Sequence, residues 1–470
     1  MRLYRLDHFS YWLDEVMQGF WIQGDWNFFW KSLRFDAVHP PLDYLVSRAV
    51  ETLAPANWER KLPAVFWGTA TITVFGALVA RRAGRVVGLL AALLMACAPF
   101  HVRYSQEFRP YALGVFGLCL SLLCLDWYLE RRSVGRLASL YFVCLATAYT
   151  LYLAAVVLGL AALAMLIEDS FAPESERRHT ARRFLLASPL FATALFLAYL
   201  PWWPVALEAW RRPPGPLAEP VTWQRVGRTL SFFAFAHDDG DPFRWGTALW
   251  TLLLIGGAVL AFRGQRLRFF LVWGFGGLLL VEILGQLHPH WYASRRFVPA
   301  GVGMTVLISL AIARLGTSKR ALWLAMAALA ACLVFDARGL TQYFREGRPD
   351  WRPLAEFLRS RPRQERIFTE NQYSELCVAF YVEGSQWLYR RGRLGRDVWN
   401  LDGEMVRLTW SWLPGRTAWL VLAGDPQYRP LRAWAKELPK TVFPSAEGGA
   451  VLVTLDPAMR ETVLMKIQGR

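Results

Sequence analysis

The adjacent acids Asp14 and Glu15 are followed, about two dozen residues later, by the run Phe35-Asp36-Ala37-Val38-His39-Pro40-Pro41-Leu42. Three carboxylates and an imidazole therefore stand just ahead of a long series of apolar segments. A carboxylate within hydrogen-bond reach of a hydroxyl can take its proton as the oxygen becomes a nucleophile. Asp14 is the candidate base, and Glu15 can orient the site or hold a metal. His39 and Asp36 can contact an acceptor. His39 can also ligate a divalent ion or meet a phosphate, although one histidine is a weak metal site. The Pro40-Pro41 pair fixes the backbone after it and so favours a set position for the imidazole. The simpler readings are a solvated acidic pair, or a cap for the amphipathic stretch 16–33, and a turn histidine at an interface. Acids at the mouth of a membrane bundle are costly unless they do chemistry or bind an ion.

Cations occur in matching places. Arg103, Glu107 and Arg109 lie in Arg103-Tyr104-Ser105-Gln106-Glu107-Phe108-Arg109-Pro110-Tyr111, a polar interruption between two apolar runs. Lys61, beside Arg60, precedes Leu62-Pro63, and Arg295-Arg296 precede Phe297-Val298-Pro299. A guanidinium fork matches two phosphate oxygens, so these residues are candidates for holding a phosphate. Interfacial arginines that reach toward lipid head groups would look the same. His237-Asp238-Asp239-Gly240-Asp241 could hold a metal, and the pair His288 and His290 straddles a proline. A solvated Asp-Gly turn and interfacial histidines explain them as well.

The elements that must position these groups are membrane spans. Of 470 residues, 54% are hydrophobic and 15% aromatic, in blocks long enough to cross a bilayer. Ten spans are predicted, at about 63–81, 85–101, 111–129, 137–149, 152–167, 184–203, 246–262, 269–287, 297–314 and 321–336. The stretch 137–167 is too long for one span and short for two. Splitting it near Tyr149-Thr150 puts every arginine cluster on one side: Arg81/Arg82/Arg85, Arg131/Arg132/Arg136, Arg177–Arg183, Arg263–Arg268 and Arg314–Arg320. By the positive-inside rule that side is the cytoplasm, and the acids, His39 and the 101–110 segment face outside. The net charge of +16 follows from these clusters, and no nucleic-acid motif is present, so nucleic acid is not a partner. Five of the six cysteines lie in apolar spans, which is neither a disulfide framework nor a zinc spacing. From about 337, after a linker near Gly339–Gly347, the pattern changes to short strands and helices. An amphipathic helix begins near Asp350–Leu358, strands fall at Arg366–Thr369, 419–423 and 450–455, and a helix at 430–438. This is the pattern of a small α/β domain.

The acidic pair followed by FDAVHPPL resembles the first external loop of GT-C glycosyltransferases, in particular the protein O-mannosyltransferase branch, where the run is one residue shorter. YSQEFRPYAL resembles a run found in bacterial members of glycosyltransferase family 39. Lys61 stands where relatives often carry Arg before Leu-Pro. Arg295-Arg296-Phe297 resembles the Arg-Tyr motif that opens a late span, with Phe for Tyr. The resemblance covers roughly residues 10–300. It implies a polytopic α-helical membrane protein of the GT-C fold with a small C-terminal extracytoplasmic α/β domain. The organisation is then a first loop at 1–62, a bundle at 63–336 and the external domain at 337–470. Relatives have a transmembrane helix directly before the acidic loop, so the expectation here is an upstream segment or a late start codon.

The activity implied is inverting transfer of a sugar from a polyprenyl-phosphate donor to a hydroxyl of a protein, lipid or glycan. It takes place at the external face of a bacterial inner membrane, surrounded by membrane lipid. Asp14 and Glu15 would be catalytic. Arg109, Arg295, Arg296, Lys61 and Arg103 would bind the donor phosphate. His39, Glu107 and Asp36 would contact acceptor or metal, a divalent ion being the one cofactor the pattern admits. A transporter of lipid-linked sugars is the main rival. It calls for ionisable groups deep in the spans and an internal repeat, whereas only Glu282 stands mid-span and no repeat is visible. A non-enzymatic scaffold with a partner-binding tail is a third reading, and it leaves the acidic loop unexplained.

Overall fold

The computed structural model describes residues 1–51, 59–173, 175–211, 223–235, 244–264, 266–287, 294–317, 319–346, 350–361, 366–369, 372–383, 398–400, 418–422, 433, 440–443 and 450–455. Ahead of the spans come α1 (Leu13–Gln23), α2 (Trp26–Asp36) and α3 (Leu42–Glu51). The membrane helices begin with α4 (Leu62–Ala83), α5 (Arg85–Cys97), α6 (Pro99–Ser105), α7 (Tyr111–Glu130), α8 (Val134–Ala148), α9 (Tyr152–Ser170) and α10 (Glu176–Tyr199). Two helices, α11 (Trp203–Arg211) and α12 (Trp223–Phe235), lie in what reads as one long loop, 204–244. Then follow α13 (Arg244–Arg263), α14 (Arg268–Leu271), a π-helical turn at Val272–Gly276, α15 (Gly277–Leu287), α16 (Val298–Leu315) and α17 (Lys319–Glu346). Last come α18 (Arg352–Arg359), β1 (Arg366–Thr369), α19 (Gln372–Glu383), β2 (Val398–Asn400), β3 (Ala418–Leu422), β4 (Lys440–Phe443) and β5 (Ala450–Leu455).

The chain divides into two compact units, residues 1–4 with 33–346, and residues 5–32 with 347–470. The segment 1–62 is thus shared between them.

Among the described residues of the first unit eight helices are long and apolar enough to cross a bilayer, and the bent pair α5–α6 makes a ninth. Two predicted spans differ from simple crossings. The 85–101 run bends by 61° at Ala98-Pro99. Pro99 has no N–H to give to the carbonyl of Met95, four residues back. Arg2 supplies the missing donors, with Nη2 on Met95 O and Nη1 on Ala96 O, both at 3.3 Å. The 137–149 run is the 15-residue helix α8, about 22 Å long at 1.5 Å per residue, short of the hydrocarbon thickness. The last span continues to Glu346, so most of the predicted linker is helical. Glu282 is half-buried and accepts from Gln286 at 3.2 Å.

Two other acids of the bundle are more deeply buried. Asp126 and Asp169, at the ends of α7 and α9, are both fully buried. Arg82 binds both oxygens of Asp169 at 2.9 Å. Arg177 reaches Asp126 at 2.6 Å and Asp169 at 2.8 Å, and Arg81 reaches Asp126 at 2.6 Å. Arg132 donates to Thr180 at 3.2 Å, and Arg266 stands 3.8 Å from Asp169. Arginines from four of the five clusters therefore meet at one end of the bundle. That is the parity obtained by splitting 137–167 into two helices.

The helices pack tightly where glycines allow it. A Cβ on Gly303 of α16 would lie 2.7 Å from the Gly274 backbone nitrogen, and Trp273 Nε1 donates to Pro299 O at 2.9 Å. The π-turn opens the ladder where α16 comes closest.

In the second unit the strands form one sheet in the order β2-β1-β3-β5-β4, parallel at β1 and antiparallel at β5. Three of these strands match the expected ones. The short strands β2 and β4 and the helix α19 were not anticipated, and the helix expected at 430–438 lies outside the described residues apart from position 433. Helix α1 belongs to this unit. Gly19 lets it sit against Phe380 of α19, where a Cβ would come within 2.7 Å of the ring. Phe20 meets the same ring edge-on at 5.3 Å. The segment before α1 is tied in by Ser10, whose Oγ accepts from Trp351 N at 3.2 Å.

Candidate active site

The FDAVHPPL run is built as a helix stop, a turn and a helix start. Helix α2 ends at Asp36, whose carboxylate accepts from Val38 N at 3.3 Å. Ala37 then takes a left-handed φ of 52°, at the position where this chain is one residue longer than the family run. Two bonds pin the turn to the α8–α9 junction. Leu42 N donates to Tyr149 O at 2.9 Å, and Tyr152 OH to Ala37 O at 3.4 Å. Trp202 Nε1 in turn holds the Tyr152 hydroxyl at 2.9 Å.

This turn forms one wall of a cavity of about 140 Å³. Asp36, His39, Tyr111, Tyr152, Arg295 and Arg296 line it. His39 is 7% exposed, and its ring meets Tyr111 edge-on at 5.7 Å. Neither ring nitrogen has a hydrogen-bond partner among the described residues. Burial, and then the guanidinium groups of Arg109, Arg296 and Arg295, hold the imidazole well below the ordinary histidine range. The ring is neutral at pH 7, with one N–H to donate.

The YSQEFRPYAL run is the short helix α6, a tight turn, and the start of α7. Arg109 and Glu107 are 4% and 1% exposed, and Arg109 N donates to Glu107 O at 2.8 Å. Arg103 is half-buried with its guanidinium 5.9 Å from the Tyr104 ring. Ser105 packs on Gly68 of α4 and accepts from Arg2 Nε at 3.2 Å. Gln106 Nε2 donates to the carbonyls of Arg2 and Tyr4, both at 2.9 Å. The serine and glutamine of the motif thus lock the first residues of the chain, leaving Glu107 and Arg109 as its chemical members. Lys61, 2% exposed, caps the start of α4, and Arg60 forms an ion pair with Glu51.

Asp14 and Glu15 lie in the other unit, in the first turn of α1, where acids complement the helix dipole. Glu15 is fully buried and its carboxylate accepts from Trp12 N at 3.3 Å, closing the first turn. Asp14 is half-buried. Of the candidates, then, Asp36, His39, Arg295 and Arg296 share one cavity, with Arg109 acting on His39. Tyr111, Tyr152 and Arg2 were not anticipated, because an aromatic at the start of a span, or an arginine at the start of a chain, carries no distinguishing pattern.

The described surroundings of His39 are cationic rather than rich in metal ligands. Three arginines set the field there. Among the described residues no three histidine, cysteine, aspartate or glutamate side chains come together as a metal site. The setting suits an anion. His237–Asp241 and His288/His290 lie outside the described residues.

Residues 38–202 match the model of the dolichyl-phosphate-mannose-protein mannosyltransferase family. That segment holds His39, Lys61, Arg103, Glu107 and Arg109. No curated protein matches the chain by sequence. The fold is similar to that of ArnT from Cupriavidus metallidurans in the apo state, with a TM-score of 0.58 at 14% identity, over 96% of this chain and 94% of that one. It is also similar to ArnT bound to undecaprenyl phosphate, with a TM-score of 0.55 at 14% identity, over 89% and 88%. Over residues 38–202 the chain carries the pattern of the protein mannosyltransferase family, and as a whole it is a membrane protein with the fold of the GT-C glycosyltransferases.

Proposed function

We propose that the chain is an inverting glycosyltransferase. It moves a sugar from a polyprenyl-phosphate donor to a hydroxyl of a protein, lipid or glycan acceptor, at the external face of a bacterial inner membrane. The observation that carries this reading is the cavity of His39, Arg295 and Arg296, with Arg109 in electrostatic reach. It is a small site at the end of a membrane bundle, rich in cations and suited to a phosphate. ArnT, which shares the fold, has been solved with undecaprenyl phosphate. The orientation rests on the arginine clusters, which gather at the opposite end of the bundle.

In this mechanism Asp14 takes the proton of the acceptor hydroxyl. The acceptor oxygen bonds to the anomeric carbon from the face opposite the leaving group, and the bond from that carbon to the phosphate oxygen breaks. The lipid phosphate departs with the electron pair, and Arg109, Arg295 and Arg296 stabilise its added charge, with His39 donating one N–H. Lys61 and Arg103 add to the positive field, and Asp36 and Glu107 contact the acceptor. Glu15 holds the turn that presents Asp14. One direct inversion needs no second nucleophile.

The test is transfer by purified protein in detergent from a defined polyprenyl-phosphate sugar. Arg295→Ala and Arg296→Ala should each raise the donor KM about tenfold or more, since a charge-assisted contact contributes about 1.5–3 kcal/mol, and leave the acceptor KM unchanged. Unchanged donor KM in both variants would remove the phosphate from this cavity.

A further inference from the structure

Helix α9 lines two cavities. Tyr152 and Leu153 at its start face the His39 site. Leu160, Leu163 and Ile167, toward its other end, wall a second and larger space of about 530 Å³. The helix is about 28 Å long, so the two spaces serve opposite ends of the bundle. One side of the second cavity is apolar and open, with Leu163 47%, Ile167 43% and Phe171 79% exposed. On a membrane helix such side chains meet acyl chains.

The polar rim is Arg266, Arg268 and Glu168. Glu168 is already engaged, since its two oxygens accept from Arg268 N at 2.8 Å and Phe269 N at 3.3 Å. Arg268 Nε donates to Phe262 O at 3.0 Å. Arg266 has a buried Nε with no hydrogen bond among the described residues. Its nearest acid, Asp169, lies 3.8 Å away and is already bound by Arg82 and Arg177. Among the described residues Arg81, Arg82, Arg177 and Arg266 gather on Asp126 and Asp169, with Glu130 also bound to Arg81, four cations against three carboxylates. Burial, with Arg177 and Arg82 nearby, holds the Arg266 guanidinium below its ordinary range. Around these buried acids the cations outnumber the carboxylates, beside an apolar wall.

We propose that this cavity binds an anionic glycerophospholipid, its phosphate diester between Arg266 and Arg268 and its acyl chains along Leu160, Leu163 and Ile167. The excess positive field selects against a zwitterionic head group, whose quaternary ammonium it repels. This site is independent of the donor site, and none of its residues has a part in transfer.

The experiment titrates the full chain in detergent with dioleoylphosphatidylglycerol or dioleoylphosphatidylcholine, reading retained lipid by native mass spectrometry and the shift in unfolding midpoint. The wild type should bind the anionic lipid at least tenfold more tightly than the zwitterionic one. The double variant Arg266→Gln/Arg268→Gln should lose that preference. Ala164→Phe, which fills the apolar wall and keeps every charge, should weaken binding about tenfold and keeps the test decisive if the double variant does not fold. Equal binding of the two lipids by wild type, or wild-type binding by Ala164→Phe, overturns the proposal. So does displacement of phosphatidylglycerol by equimolar undecaprenyl phosphate, which would assign the site to an isoprenoid.

Discussion

Asp14 and Glu15 are neighbours in the chain with different work available to them. Glu15 spends its carboxylate on the Trp12 amide inside the protein, whereas Asp14 keeps partial access to solvent. The sequence made both acids candidates, because a helix cap and a catalytic acid share residue types. Only burial separates them. Asp14→Asn should cut single-turnover transfer about a hundredfold or more with no change in melting temperature. Glu15→Ala should lower stability by about 1 kcal/mol, the worth of an N-terminal cap. Transfer by Asp14→Asn within about threefold of wild type would take Asp14 out of the mechanism. His39 gives a second prediction. Its imidazole is neutral because burial and three arginines disfavour the cation. In the unfolded chain it takes a proton near pH 6.5. The folded protein without donor therefore loses stability as pH falls below about 6.5, where only the unfolded state binds the proton. A bound phosphodiester offsets the arginine field and raises the imidazole's proton affinity. Donor binding should then tighten as pH falls from about 7 to 5.5, and His39→Gln should flatten that slope. Calorimetry of a non-transferable donor analogue in two pH buffers reads it directly.

The element scale shows where apolar pattern informs and where it stops. Hydropathy located every long helix of the bundle, since each must bury or offer lipid an apolar surface over the bilayer's thickness. It does not register a bend. The break at Pro99 is held by Arg2, which is remote in sequence and contacts both the open carbonyls and the Ser105 hydroxyl. Nor does it register short strands such as β2 and β4, at three and four residues. The ion network at the far end was legible only in part. The arginine clusters stood out, but nothing in the residue pattern singles out Asp126 and Asp169. Their burial makes them structural. Asp169→Asn should destabilise the protein by about 3–5 kcal/mol, because Arg82, with a fully buried side chain, is left without its main partner. Combining it with Arg82→Met should recover much of that loss, since it removes the buried guanidinium that Asp169→Asn leaves without its main partner. Thermal unfolding in detergent of both variants decides it. A loss that simply adds in the double variant would mean that the pair is not coupled.

At the scale of the molecule, the candidate site is assembled from distant parts of the sequence. His39 and Arg295 meet because a turn before the first span and the start of a late span fall at the same end of the bundle. The motifs marked each piece, and the parity of the spans marked the end. The sequence did not reveal that α1, with its acidic pair, folds with the C-terminal α/β unit. No residue pattern announces that Gly19 is a seat for Phe380. Orientation in the membrane is then the property on which the external reaction depends, and it can be measured with two cysteines. Gly135 begins α8 beside the arginine clusters, is exposed, and has nothing within 4 Å of an added Cβ. Arg211 ends α11, beyond the opposite end of α10, and is exposed. The native cysteines are buried or half-buried and give a low background. In intact cells a membrane-impermeant maleimide should label Arg211→Cys, and should label Gly135→Cys only after the membrane is opened. The reverse pattern would put the His39 cavity in the cytoplasm, where the proposed external transfer could not occur. Labelling of both sites in intact cells would mean that an even number of the three helices α8, α9 and α10 crosses, and would undo the parity that places every arginine cluster at one end.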